Sequence, residues 1–310
     1  MRVIVQKDFG GPAVLELTDG PVPSPLPSEV LVRVRATGVH SFESAVRSGA
    51  FPLLGDPPFT LGWDFSGVVE HVVPGVTRFK EGDEVYGMPF FPRQAAAYAE
   101  YLVAPSRQIA LKPRSLSHLQ AAAMPLAALT AWQGLVDGAG VTAGQRVLVH
   151  AAGGGVGHFA VQIAKALGAH VVATCGTDKQ EFVRGLGADE VIDYSKTDFA
   201  RSVREIDVVF EAVGGDYADR SLRTLRDGGL LVTIVERADA ALAARAEAAG
   251  RRFMGVTVEP DHVALERLAE LADSGLLRPH VEHVFPLEKA AEAQALASLG
   301  HTKGRIVLSL

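Results

Sequence analysis

A two-part α/β protein is predicted: a small, mainly antiparallel β unit and a doubly wound parallel sheet with helices between its strands. Three observations predict it. Residues 1 to 117 read as short strands broken by Gly and Pro. From Ser117 onward, short β-rich runs alternate with helical patterns of roughly 10 to 15 residues. A glycine-dense turn, AAGGGVG, separates the first of those runs from its helix. The 310 residues suffice for two domains at the usual ~150 residues each.

In the first part, Glu29 to Thr37 alternates Val30, Val32 and Val34 with Leu31, Arg33 and Arg35, the period of a half-buried strand. Phe65 to Val73, Asp83 to Tyr86 and Tyr98 to Val103 read similarly. The stretch PVPSPLP, Pro21 to Pro27, cannot pair in a central strand and is expected to be an extended connector. In the second part the strand runs are Arg146 to His150, His170 to Cys175, Glu190 to Ile192, Ile206 to Phe210, Gly229 to Val235 and Phe253 to Val258. The alanine-rich amphipathic stretch Ala238 to Ala249 fits a helix packed on that sheet. The tail returns to strand, helix and strand: Val281 to Phe285, Leu287 to Leu299 and Arg305 to Ser309. It is expected to pack back on the first part. The expected domains are residues 1–117 with 275–310, and residues 118–274.

Composition excludes several classes. A net charge of −6 leaves no dense basic face for nucleic acid or an anionic membrane. The single cysteine, Cys175, rules out an internal disulfide and a multi-cysteine metal site, and it suits a reducing cytoplasm. The start, MRVIVQKDFG, lacks the apolar core of a secretory signal. The strongly apolar window Ala121 to Trp132 is too short to span a membrane and contains Pro125. His150, His158 and His170 show no metal-ligand spacing.

The glycine turn points to a dinucleotide. A diphosphate must approach main-chain N–H groups at a helix N-terminus, where a Cβ would intrude. Registered on Gly157, the pattern puts Ala152, Gly154 and Gly157 at the three glycine positions, with Gly153, Gly155 and Val156 among them. The alternative is a glycine-rich turn that binds nothing. At the end of the second strand, Gly176-Thr177-Asp178-Lys179 replaces the carboxylate that would hold a ribose diol. Thr177 and Lys179 suit a 2′-phosphate, hence NADPH, and Arg184 is near in sequence. Thr177 to Gln180 also matches a capping box, and Asp178 offers an alternative ribose ligand.

These features resemble a known group. FGGPAVLEL, EVLVRVRATGVH, LGWDFSGVVEHVVPGVTRFKEGDEVYG, AALTAW, LGADEVIDY, FEAVGG and HTKGRIVL are together similar to zinc-independent medium-chain dehydrogenase/reductases of the quinone oxidoreductase (zeta-crystallin-like) branch. The resemblance spans essentially the whole chain. It implies a GroES-like β domain joined to a Rossmann domain, a cytoplasmic homodimer, and NADPH as the hydride source for a quinone or an α,β-unsaturated carbonyl. In the superfamily's zinc alcohol dehydrogenases, the metal ligands would fall at His40, at Trp63, and in Leu126 to Leu129. His40 and Asp64 offer two donors where about three are needed, so no metal is expected.

The resemblance also implies site residues. His40 stands where many quinone reductases carry Asn, and is the candidate catalytic proton donor to the anion that hydride transfer leaves. Its alternative role is to orient cofactor or pack the cleft floor. Ala45 replaces the Tyr or Lys that borders the cleft in several relatives. Phe42, Phe51, Phe59 and Trp63 either line an apolar pocket or belong to the core. Tyr194, Val213, Gly214, Thr130 and Arg305 match positions that contact the cofactor. The competing functions are an enoyl reductase of a biosynthetic pathway and a non-catalytic NADPH-binding redox sensor.

Overall fold

The computed structural model describes all 310 residues, which divide into two compact units. The first comprises Met1–Leu129, Glu259–Gly275 and Pro279–Leu310; the second comprises Thr130–Val258 and Leu276–Arg278.

The first unit is built on a seven-stranded sheet and a two-stranded one. The strand Glu29–Val39 is the hub: it pairs antiparallel with Phe65–Val72, Tyr101–Pro105 and Arg305–Ser309. Its alternation reads directly as burial. Val30, Val32 and Val34 are at most 3% exposed and pack with Phe65, Val69, Val85, Leu102 and Ile109. Arg33, on the opposite face, pairs with Glu70 in solvent. Glu84–Gly87 and Ile109–Leu111 extend the sheet on one side, and Val281–Pro286, parallel to Arg305–Ser309, ends it on the other. Arg2–Gln6 and Leu15–Asp19 form the separate hairpin. Pro21 to Pro27 carries no strand or helix.

The helix His262–Asp273 belongs to this unit, although its sequence pattern places it with the parallel sheet. Its polar contacts explain the assignment. Tyr86 donates its hydroxyl to Leu265 O at 2.6 Å, Arg78 pairs with Glu266, and Asp273 accepts from Ser115 N. The contact boundary likewise lies at Leu129/Thr130, inside the helix Pro125–Trp132, rather than at residue 117. The preceding helix, His118–Ala122, packs Ala122 with Ala36 and Val307 of the first unit.

The second unit is the doubly wound parallel sheet that the sequence predicts. Its spatial order is Glu190–Asp193, His170–Cys175, Arg146–Val149, Ile206–Glu211, Leu225–Thr233, Arg252–Gly255, and every pairing is parallel. Numbered along the chain, that is 3-2-1-4-5-6, with the reversal between the first and fourth strands. Leu148, Val172, Val209 and Leu231 on the strands bury against Phe199, Leu222 and Leu242 on the helices. Ligands of such sheets bind beyond the carboxyl ends of the strands at the reversal, which is where the glycine turn begins.

Candidate active site

In the second unit, Arg146–Val149 leads through His150 into the glycine turn and then the helix Gly157–Ala166. Sterics dictate the glycines. A Cβ on Gly157 would stand 2.2 Å from Ala151 O and 2.8 Å from Ala152 Cα, so the helix could not approach the strand. A Cβ on Gly154 would crowd Ala151 O at 3.2 Å. Ala152 and Gly153 are buried, whereas Gly154, Gly155 and Val156 keep partial exposure. No side chain caps the helix N-terminus. The turn is therefore a cradle that a Cβ would fill, with main chain exposed at its rim, and it fits a diphosphate.

Four of the expected cofactor residues gather around it. The stem of Lys179 crosses Gly153, where an added Cβ would meet Lys179 Cδ at 2.9 Å. Tyr194 is 53% exposed, with its hydroxyl beside Gly176. Thr177 begins a short 3₁₀ turn, but its hydroxyl does not cap it. Instead Thr177 Oγ1 donates to Asp193 Oδ2 at 2.5 Å, and Gln180 Nε2 donates to the same oxygen at 3.2 Å. The capping box expected at Thr177 to Gln180 does not form; both side chains turn to Asp193 instead. The pattern does form at Ser117 and Gln120.

Val213 and Gly214 follow the fourth strand, and Gly214 takes φ +83°, a left-handed conformation that suits glycine. Sequence reasoning missed what shapes this turn. Glu211 is fully buried: Oε1 accepts from Val213 N and Gly214 N, and Oε2 accepts the Thr233 hydroxyl at 2.8 Å. An acid at a strand end before paired glycines was the available signal. Thr130 lies in the helix Pro125–Trp132 and is 5% exposed.

The first unit holds a buried charged cluster of its own. His40 follows the hub strand, and Asp64 precedes Phe65–Val72. His40 Nε2 lies 2.9 Å from Asp64 Oδ2, and Leu126 N donates to Asp64 Oδ1 at 2.8 Å. Arg305, expected at the cofactor, is 5% exposed and faces this cluster: Nη2 is 3.2 Å from Asp64 Oδ2, and Nη1 is 3.1 Å from His40 Nδ1. Nη2 also lies 3.0 Å from His40 Nε2, so the guanidinium borders both ring nitrogens; with Nε2–H donating to Asp64 and Nδ1 accepting from Nη1, Nη2 donates to Asp64 Oδ2. Burial, then the Arg305 charge, lower the His40 pKa against the opposing pull of Asp64.

Behind His40, Glu43 is fully buried and accepts on Oε2 from His40 N, from the Tyr98 hydroxyl at 2.6 Å, and from Gln294 Nε2. Beside His40 stand three aromatic rings: Phe42 is 5.4 Å from the imidazole, and Trp63 and Phe91 complete the group. Phe42 and Phe91 are partly exposed; Trp63 is buried and donates Nε1–H to Arg93 O. Phe59 is core, and Phe51 is exposed away from this group's contacts.

The donors present do not fit a zinc ion. Two side chains, His40 and Asp64, are on hand, and the Arg305 guanidinium already supplies the positive charge beside them. No group of three or more His, Cys, Asp or Glu side chains is arranged to hold a metal. No helix is long and apolar enough to cross a membrane.

Two family models match the chain: an alcohol dehydrogenase GroES-like domain over residues 26–114, and a zinc-binding dehydrogenase over residues 186–308. The NADPH-dependent alkenal/one oxidoreductase of Arabidopsis thaliana chloroplasts is 35% identical, over 99% of this chain and 79% of that protein. The quinone oxidoreductase of Coxiella burnetii superposes with a TM-score of 0.94 at 34% identity, covering 100% of this chain and 99% of the other. The Escherichia coli quinone oxidoreductase, solved with NADPH, superposes with a TM-score of 0.90 at 28% identity, each chain being fully covered.

Proposed function

The chain belongs to the medium-chain dehydrogenase/reductase superfamily, in its quinone oxidoreductase branch, and from that premise we propose that it is an NADPH-dependent reductase of quinones or α,β-unsaturated carbonyls. The observation that carries this reading is the glycine cradle: a Cβ clashes at Gly157 and is crowded at Gly154, Lys179 crosses Gly153, and Tyr194 stands beside Gly176. NADPH, when bound, supplies the hydride.

The chain's own residues divide the remaining work. The turn Ala152–Gly157 would receive the diphosphate on main-chain N–H groups. Lys179, Tyr194, Gly176 and Thr177 would meet the adenosine ribose and its phosphate, while Glu211 fixes the Val213-Gly214 turn for the other half of the molecule. Arg305, held on Asp64 and His40, supports that cluster rather than the dinucleotide. The partly exposed rings of Phe42 and Phe91 suit a planar conjugated substrate, which gains from offset stacking.

Of the two roles open to His40, the geometry supports positioning. Both ring nitrogens are engaged, Nε2 by Asp64 and Arg305 and Nδ1 by Arg305, so neither is poised to give a proton. The donor set also supports chemistry without a metal, and a substrate that delocalises its own negative charge needs neither a Lewis acid nor a strong protein acid. A homodimer in the cytoplasm remains our expectation for its assembly and location.

The test is direct. Protein and NADPH are mixed with a panel of quinones, enones and enals, and the nicotinamide absorbance is followed. Oxidation on conjugated substrates, with simple ketones inert, is the expected result. Tight NADPH binding without oxidation across the panel would point instead to a dinucleotide-binding sensor.

A further inference from the structure

Asp193 ends the third strand of the parallel sheet and is nearly buried, at 7% exposure, yet four side chains converge on it. Oδ2 accepts the Thr177 hydroxyl proton at 2.5 Å and Gln180 Nε2–H at 3.2 Å. Oδ1 accepts from the Ser195 hydroxyl at 2.6 Å and from Ser195 N at 3.0 Å. Lys196 Nζ stands 3.4 Å from Oδ2. Hydrogen bonds from Ser195 and Thr177 hold the Asp193 carboxyl well below the usual carboxylate range, so it stays ionised and can only accept.

A hydroxyl has one proton to give. With that proton on Asp193, Thr177 Oγ1 offers the solvent lone pairs alone, and Ser195 Oγ, 3.3 Å away, is in the same state. Both residues are exposed, beside Gly176 and Tyr194. A phosphate brings only acceptors, whereas a ribose 2′-hydroxyl can donate. An oxygen that only accepts therefore favours the unphosphorylated ribose and opposes the phosphate. Lys179 works the other way.

Resting on the NADPH reading above, we propose that Asp193 is a positioning residue that sets how far the chain prefers NADPH to NADH. By holding the Thr177 proton it makes Thr177 an acceptor and tempers the preference that Lys179 confers. The sequence pattern alone assigned Thr177 to the phosphate; the hydrogen bonding reverses the sign of its contribution.

Equilibrium titrations of NADPH and NADH, read by quenching of tryptophan fluorescence, test this without turnover. In Asp193→Asn the carbonyl is held by Ser195 N and Oγ and the NH2 turns to Thr177, which frees the Thr177 proton and is expected to raise the NADPH-to-NADH affinity ratio about tenfold. Removing a negative charge would itself help a phosphate, so the same change is made in a Thr177→Val background. There the gain is expected to shrink to about twofold or less. An unchanged ratio in Asp193→Asn, or an equal gain in both backgrounds, would overturn the proposal. Thr177→Val alone does not depend on the folding of the Asp193 variant. It is expected to weaken NADH by about threefold or more and to leave NADPH within about twofold. Loss of NADPH binding with NADH untouched would make Thr177 a phosphate donor and sink the idea. If the unaltered protein binds neither dinucleotide, the NADPH reading falls first and the proposal with it.

Discussion

His40 Nε2 and Asp64 Oδ2 lie 2.9 Å apart in the interior of the first unit, and Arg305 closes the set from the far end of the chain. Asp64 is wholly buried, and His40, Arg305 and Leu126 N are its hydrogen-bond partners. Arg305→Ala would strand it. The expected loss is about 3–5 kcal/mol of unfolding free energy, measured by urea denaturation. Because the guanidinium faces Asp64 and His40, NADPH affinity is expected to stay within about twofold. A large loss of NADPH affinity at unaltered stability would instead place Arg305 on the dinucleotide.

The same geometry sets an expectation for His40. A proton donor gives a pH–rate profile that follows its own titration, and its removal costs about 10²–10⁴ in rate. A positioning residue does neither. His40→Asn is expected to lower kcat/KM by about tenfold or less, with an unchanged profile from about pH 6 to 9. Loss of an ionisation from that profile in the variant would restore the proton-relay role.

The cradle yields a graded steric prediction. At Gly157 an added Cβ would sit 2.2 Å from a main-chain oxygen, which cannot yield without moving the strand. Gly157→Ala is expected to destabilise the protein by about 1–3 kcal/mol and to abolish measurable NADPH binding. At Gly154 the nearest atom is 3.2 Å away, so Gly154→Ala should fold normally while still weakening NADPH. Equal behaviour of the two variants would mean that the turn tolerates a Cβ that the geometry forbids.

What the sequence made legible was local. The period-two valines of Glu29–Val39 and the glycines after Arg146–Val149 each reveal their role within about ten residues, and the alternation of strands and helices gives a parallel sheet. The site's hydrogen bonds are not local. Thr177 and Asp193 are 16 residues apart and meet because parallel pairing sets Asp193 opposite Cys175; Asp64 and Arg305 are 241 apart. The Ser/Thr-x-x-Gln pattern occurs at both Ser117 and Thr177, but only at Ser117 do the side chains take the capping geometry; at Thr177 both turn to Asp193. The helix His262–Asp273 falls within the expected 118–274 unit by sequence position, but an amphipathic face does not say which sheet it covers.

Two buried groups pull stability in opposite directions with pH. His150 is fully buried, with Nδ1 taking the Thr174 hydroxyl proton and Nε2 donating to Ser221 Oγ; burial, with the Arg220 charge adding, pushes its pKa down to about 3 from 6.5. Between those values the unfolded chain holds the extra proton, so His150 makes stability fall as the pH drops. His40, lowered for the same first reason, adds to that trend. Glu43 is the reverse case: burial pushes it up to about 7 from 4.5, so the folded chain holds the extra proton and stability falls as the pH rises through that interval. Over the shared window the two oppose each other. Glu43→Gln removes one side, and the slope of unfolding free energy against pH is expected to become more positive than in the unaltered protein by about 1.4 kcal/mol per pH unit. The comparison is of urea unfolding at pH 5 and 6, where exposed groups contribute equally to both proteins and cancel. Parallel slopes would show that Glu43 is ionised in the fold, a buried charge with Oε1 unpartnered and Oε2 held by His40 N, the Tyr98 hydroxyl and Gln294 Nε2.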